Sequence, residues 1–185
     1  MPGYKHLTRL PRIWIDDPIF FITTNTNLRH PILANSSVAQ ILIDEWHDAL
    51  ERHGWMVGRY VIMPDHVHFF CAPAGEGTDH EVPVFNDYQI KKSKDLSGFI
   101  QQWKQWTSKR ISREIGQEIM PGVTNGIQIP MELKSPVWQE EFFDHLLRSQ
   151  ESYEQKWEYV SQNPVRKGLV RSVEEWQWQG EIFQL

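Results

Sequence analysis

The stretch from Trp55 to Ala72 constrains the fold most, because it is rich in aromatic and β-branched residues and has one strong interruption. Residues of these types favour extended backbone, so we predict strands over Trp55–Tyr60 and Val67–Ala72. Pro64 and Asp65 lie between them. Since proline cannot donate to a β-ladder, these two residues indicate a bend or a bulge in the connection.

Periodicity elsewhere in the chain predicts three helices and two further strands. The predicted helices run over about Ser37–Arg52, Asp95–Ile115 and Ser149–Asn163, and the predicted strands over Ile19–Asn27 and Leu169-Val170. Strands interleaved with helices in this order favour an α+β domain, with an antiparallel sheet and helices packed on one face.

Length and composition bound the class of protein. The chain has 185 residues, which fits a single domain over 1–185, with polar loop insertions expected near 74–88 and 116–136. Cys71 is the one cysteine, which excludes an internal disulfide and a cysteine-based zinc site. No segment approaches the ~20 apolar residues of a membrane span, and the N-terminus does not resemble a signal peptide. We therefore expect a cytoplasmic protein with no membrane partner.

The charge is unevenly distributed along the chain. The formal net charge of −5 argues mildly against a nucleic-acid-binding protein, for which a basic surface is expected. Between Gln89 and Arg113, however, Asp95 is the one acid among seven cations, which are Lys91, Lys92, Lys94, Lys104, Lys109, Arg110 and Arg113. A local positive field attracts a phosphate chain whatever the total charge. A solvated basic helix face would have the same pattern, so both interpretations stay open.

The sequence His66-Val67-His68 is the sharpest chemical feature. In a strand, residues i and i+2 point to the same face, so the two imidazoles would lie side by side while Val67 points into the core. Two neutral imidazoles on one face can share a divalent cation. The alternative is two surface histidines on a half-exposed strand.

Two histidines leave a metal with too few ligands, and the third predicted helix offers a further one. Tyr159 and Asn163 are four residues apart and would lie on one helix face. If that helix packs near His66 and His68, the Asn163 side-chain oxygen completes the site and Tyr159 lies beside the metal. A tyrosine activated there can form a covalent intermediate with a phosphate. The structural alternatives are a half-buried Tyr159 and an Asn163 that caps the helix.

Two segments carry a family resemblance. The segment YVIMPDHVHFF, Tyr60–Phe70, resembles the His-hydrophobic-His strand of the HUH endonucleases. Val137–Val170 resembles the C-terminal motif of single-tyrosine transposases, and most of all that of the transposases associated with repetitive extragenic palindromes. The matching residues there are Trp138-Gln139, Phe143-Asp144-His145, Arg148, Tyr159 and Asn163-Pro164-Val165.

The resemblance implies a fold and a chemistry. The fold would be a ferredoxin-like antiparallel sheet with helices packed on one face. His66, His68 and Asn163 would hold Mg²⁺ or Mn²⁺, and Tyr159 would attack a DNA phosphate to form a 5′-phosphotyrosine and a free 3′-hydroxyl. The substrate would be single-stranded DNA with hairpins formed by palindromic repeats, cut by a monomer or a homodimer.

The candidate nucleic-acid-binding residues come from the basic helix and from the C-terminal motif. They are Lys91, Lys92, Trp103, Lys104, Lys109, Arg110, Arg148 and Arg166. Two other hypotheses stay open: a domesticated relative that binds hairpins without cutting them, and a metalloprotein that uses the histidine pair for unrelated chemistry.

Overall fold

The computed structural model describes residues 18–74, 95–118, 136–147 and 149–185. Lys91, Lys92 and Arg148 lie outside these ranges, as does most of the two predicted loop insertions. The strands are β1 (Ile19–Asn25), β2 (Trp55–Met63), β3 (His66–Pro73), β4 (Phe143–Leu147) and β5 (Gln179–Glu181). The helices are α1 (Ser36–His47), α2 (Ala49–His53), α3 (Leu96–Glu118), α4 (Gln150–Ser161) and α5 (Asn163–Arg166).

The strands form one sheet in the order β4-β1-β3-β2-β5, and every neighbouring pair is antiparallel. The first four strands have the order of a ferredoxin-like sheet, and β5 extends it beyond β2. The predicted α+β class with an antiparallel sheet is therefore confirmed.

The two faces of the sheet carry different layers. On the first, which we call the helix face, Ile22, Val67 and Phe69 pack against α1 and α3 in the main core. On the second, which we call the histidine face, Phe21 and Phe70 pack against α4. The two long helices α1 and α3 thus lie together on one face, as predicted, and α4 adds a layer on the opposite face.

Local sequence explains the ends of the first helical segment. The Asn35 side chain accepts a hydrogen bond from the backbone N–H of Val38 (3.0 Å), which caps α1. Gly54 adopts φ 70° and ends α2, because glycine enters the left-handed region without a steric penalty. The helix predicted over Ser37–Arg52 is split in two at Asp48.

The predicted bounds of β2 and β3 and the position of the last strand are corrected. β2 extends to Met63 and β3 begins at His66, so the bend predicted at Pro64 and Asp65 is the two-residue turn that joins them. A register irregularity lies between Val57 and Tyr60. Leu169-Val170 belongs to no strand, and the last strand is β5. No helix among the described residues is long and apolar enough to cross a membrane.

Candidate active site

The histidine pair lies at the start of β3, in the centre of the sheet. His66 is in register with Asn25 of β1, and His68 with Thr23. The two imidazole rings are neighbours, with centroids 4.8 Å apart and planes at 84°. The prediction that the two rings share one face of a strand is confirmed, while Val67 is buried in the core on the helix face.

Each imidazole is held through its Nδ1 atom. His66 Nδ1 donates to a carboxylate oxygen of Asp65 (2.6 Å), and His68 Nδ1 shares a hydrogen bond with the Thr23 hydroxyl (2.8 Å). Histidines that bind metals typically engage the other ring nitrogen in such a hydrogen bond, which fixes the tautomer and the ring orientation. Here the arrangement leaves Nε2 of both rings as the nitrogen suited to a metal.

Burial favours the neutral form of both histidines. It lowers the pKa of His68 to about 3, with further lowering by His66 and by the cations Arg29, Lys156 and Arg166. Burial also lowers the pKa of His66, although the carboxylate of Asp65 acts in the opposite direction. Neutral imidazole is the form that binds metal ions.

A basic side chain adjoins the pair from a strained turn. Arg29 forms an ion pair with Asp65 (Nε to Oδ2, 2.7 Å), and its Nη2 lies 3.4 Å from His66 Nδ1. Leu28 and Arg29 have φ values of 52° and 60°, a region that non-glycine residues rarely adopt and that is common at functional sites. Thr23, Asp65 and Arg29 were not among the predicted site residues, and no local sequence signal marks them.

Helix α4 packs against the same face. The Ser149 hydroxyl caps its start by accepting from Ser152 N (3.2 Å). The ring of Tyr153 lies 4.5 Å from that of Phe70, and Lys156 Nζ lies 5.2 Å from the centre of the Phe21 ring. Phe21 in turn stacks on His68 at 5.5 Å. The helix that carries Tyr159 is therefore anchored next to the histidines.

Tyr159 and Asn163 are joined by one arginine. Tyr159 is 64% exposed. The guanidinium of Arg166 lies over its ring at 4.2 Å, donates to its carbonyl oxygen (2.6 Å), and also donates to the Asn163 side-chain oxygen. Asn163 begins α5 instead of ending α4, because Gln162 separates the two helices and Pro164 occupies the first turn of the second.

The donor set fits a divalent metal that accepts nitrogen and oxygen ligands. No group of three His, Cys, Asp or Glu side chains suited to a metal occurs in the described part of the chain. The available ligands are two imidazoles, each engaged through Nδ1, and the carboxamide oxygen of Asn163. The Asn163 oxygen accepts from Arg166, so this hydrogen bond competes with a metal for the oxygen.

Three of the predicted nucleic-acid-binding residues are engaged inside the protein. Trp103 is 1% exposed and stacks on Trp46 at 5.7 Å, so it has no free face for a base. Lys104 Nζ donates to the backbone carbonyls of residues 139, 140 and 141. Arg110 forms ion pairs with Asp44 and Glu45 of α1. Trp103 is therefore closed to a base, while Lys104 and Arg110 have partners within the protein.

The exposed candidates have different positions. Lys109 lies on the outer surface of α3, where its amine is 5.5 Å from the centre of the Trp106 ring. Arg166 is exposed next to Tyr159, and its charge contributes to the low pKa of His68. Among the predicted DNA contacts that the structure describes, Lys109 and Arg166 are thus the exposed ones.

The fold is similar to those of two transposases. A REP-associated tyrosine transposase, solved bound to a REP hairpin, has a TM-score of 0.56 and 19% identity, over 94% of this chain and 82% of that one. A putative transposase from Deinococcus radiodurans R1 has a TM-score of 0.50 and 16% identity, over 82% of this chain and 95% of that one. No family model matches the chain, and no curated protein matches it. The solved structures with this fold thus include a REP-associated tyrosine transposase, in agreement with the resemblance found in the sequence.

Proposed function

We propose that the protein is a metal-dependent endonuclease and strand transferase for single-stranded DNA, with Tyr159 as nucleophile. His66, His68 and Asn163 would hold Mg²⁺ or Mn²⁺. The observation that carries the proposal is the pair of imidazoles fixed through Nδ1 by Thr23 and Asp65, on the face against which α4 packs. The hydrogen bonds at Nδ1 leave Nε2 of both rings for a ligand, as in histidines that bind metals.

The chemistry follows from the roles of the side chains. The Tyr159 oxygen attacks the phosphorus of a DNA phosphodiester, and the bond from phosphorus to the 3′ oxygen breaks. The products are a 5′-phosphotyrosine and a 3′-hydroxyl, to which the phenol proton is finally transferred. A bound divalent ion would polarise a phosphate oxygen and stabilise the developing charge. Attack on the phosphotyrosine by the 3′-hydroxyl of another strand reverses the reaction and joins the two strands.

The proposed substrate is a single strand next to a DNA hairpin formed by a palindromic repeat, cut in the cytoplasm by a monomer or a homodimer. The support is the similarity to a transposase solved with a REP hairpin, together with the cations around the histidines. Arg29, Lys156 and Arg166 all lower the pKa of His68, and such a local group of cations would attract a phosphate chain despite the net charge of −5.

One observation favours a second candidate function, which is hairpin binding without cleavage. The Asn163 oxygen, the proposed third ligand, is bound by Arg166. A protein in which this contact never opens would hold metal weakly through two histidines. It would bind DNA and leave it intact.

A cleavage assay with two tyrosine variants tests the proposal. A hairpin oligonucleotide with single-stranded extensions is incubated with Mn²⁺ or with EDTA, and both nicked product and covalent adduct are measured. Tyr159→Phe removes the proposed nucleophile from an exposed position. Tyr153→Phe is the matched control, because it removes the same atom from the same helix at a buried site.

The two functions predict different results. For the nuclease, wild type and Tyr153→Phe nick the strand and form an adduct with Mn²⁺, whereas Tyr159→Phe and EDTA samples do neither. For the binding protein, wild type and both variants bind the hairpin, and none of them nicks it. Nicking by Tyr159→Phe at the wild-type rate would remove Tyr159 from the role of nucleophile.

A further inference from the structure

Strand β4 presents part of the histidine face at the edge of the sheet. Phe143 is in register with Thr23, and Thr23 in turn with His68. Directly paired residues of antiparallel strands have side chains on the same face, and the Thr23 hydroxyl reaches the His68 ring. The same pairing places His145 beside Phe21, whose ring stacks on His68. Phe143 and His145, which we call the β4 shelf, therefore continue the histidine site sideways.

Helix α4 covers one end of β4 and leaves the shelf open. Leu147, on the same side of the strand, is buried with Phe21, Phe70 and Tyr153. His145 is exposed, and Phe143 is 57% exposed although it is a large apolar side chain. An exposed aromatic ring offers a face on which a base can stack.

Cations flank the shelf on the side of the histidines. Lys156 Nζ lies over Phe21, between His145 and His68 in the sheet. Arg166 of α5 and Arg29 of the turn after β1 both contribute to the low pKa of His68. A row of open rings bordered by positive charge matches a single nucleic-acid strand, whose bases stack on rings while its phosphates seek cations.

We propose that the β4 shelf binds unstacked bases of the single strand next to the phosphate that Tyr159 attacks, with Phe143 as the main stacking platform. This inference rests on the proposed function and adds to it the place where the bases lie. Phe143 is a binding residue in this account. It holds the strand in register with the histidine site and takes no part in bond breaking.

The expected effect is large enough to measure. Loss of a ring that stacks on one base weakens binding of a single strand by roughly fivefold to 100-fold. A duplex stem has no unstacked base, so the affinity for a blunt hairpin should not change when the ring is removed. The comparison between the two DNAs separates stacking from general electrostatic attraction.

The experiment measures binding of two fluorescent hairpins to wild type and to three variants. One hairpin carries 2-aminopurine in a single-stranded 5′ extension, and the other is blunt. The variants are Phe143→Ala, Phe143→Trp and the control Trp106→Ala. Trp106 is also an exposed aromatic, at 48%, but it lies on α3 on the opposite side of the sheet. Thermal melts establish that each variant is folded.

The inference predicts that Phe143→Ala weakens binding of the extended hairpin alone and relieves quenching of 2-aminopurine. Phe143→Trp should keep the affinity and the quenching near their wild-type values. Trp106→Ala should leave both unchanged. If wild type binds and nicks the extended hairpin but Phe143→Ala has the same affinity and quenching, the shelf is not the base-binding surface and the proposed function stands. If wild type does not bind the extended hairpin, the proposed function fails and takes this inference with it.

Discussion

The helix face and the histidine face of the same sheet are built from the same residue types and covered to very different degrees. On the helix face, aromatic rings pack on each other without access to solvent, as with Trp46 and Trp103, whose rings are parallel at 5.7 Å. On the histidine face, α4 covers Phe21 and Phe70, but Phe143 and Tyr159 remain exposed. One face stabilises the fold, and the other leaves apolar and polar groups open for a ligand.

The polar groups differ between the faces in the same way. Lys104, next to the helix face, uses its amine to bind three backbone carbonyls within the protein. On the histidine face, Thr23 and Asp65 hold the imidazoles by one nitrogen each and leave the other nitrogen for a ligand. The comparison predicts that substitutions on the helix face change stability, while those on the histidine face change ligand binding and cleavage.

The largest expected effect on stability is that of Trp103→Ala. Removing a fully buried indole leaves a cavity and lowers the free energy of unfolding by about 3–5 kcal/mol. Phe143→Ala, on the histidine face, should change it by less than about 0.5 kcal/mol because the ring is mostly exposed. Urea unfolding of both variants measures the two losses in the free energy of unfolding. Equal losses would contradict the distinction between the two faces.

The next effect is that of Lys104→Met. The substitution keeps the length of the side chain but leaves three carbonyl groups without their donor, at a cost of about 2–3 kcal/mol. Lys109→Met is the matched control on the same helix, and its effect on unfolding should be close to zero. A weaker affinity for DNA in Lys104→Met, without a loss of stability, would instead restore the interpretation of Lys104 as a DNA contact.

A smaller effect on stability is expected for Thr23→Val, whose main effect is on metal binding. Losing a group that orients a metal-binding histidine typically weakens metal affinity by about 10-fold to 100-fold. The valine has nearly the same shape, but the buried His68 Nδ1 loses its partner, so the free energy of unfolding should fall by about 1 kcal/mol. Calorimetric titration with Mn²⁺ measures the affinity, and an unchanged value would mean that Thr23 does not orient His68 for a metal.

The smallest expected effect is a gain of stability in Leu28→Gly. The left-handed conformation of Leu28 costs about 1–2 kcal/mol, and the greater freedom of glycine in the unfolded chain offsets much of this. The net increase should be about 0.5 kcal/mol in urea unfolding. A decrease would indicate that Leu28 stabilises the turn through contacts, although its side chain is 74% exposed.

Local patterns in the sequence were sufficient for the frame of the fold and for the central feature of the site. The period of two in His66-Val67-His68 predicts both rings on one face, and Asn35 and Gly54 mark the ends of the first helical segment. Each of these depends on residues within a few positions of one another. The partners of the rings do not, because the pairing of His68 with Thr23 spans 45 residues and depends on the register of the whole sheet.

The same limit applies to the predicted DNA contacts on α3. Helical periodicity places Trp103 on the apolar side and Lys104 at its border, but it does not reveal what covers that border. The Lys104 amine donates to the backbone carbonyl of Gln139, which lies 35 residues further along the chain. Arg110 similarly lies 65 residues from its partner Glu45. Only the packed structure separates these structural cations from the exposed Lys109.

The most direct test of the central claim is to map the protein–DNA adduct. A hairpin with a single-stranded extension is incubated with wild-type protein and Mn²⁺, the complex is digested, and the modified peptide is sequenced by mass spectrometry. The account predicts a 5′-phosphate of the cut strand attached to Tyr159, with no adduct in His66→Ala or after addition of EDTA. An adduct on another residue, or nicked DNA with no adduct at all, would contradict it.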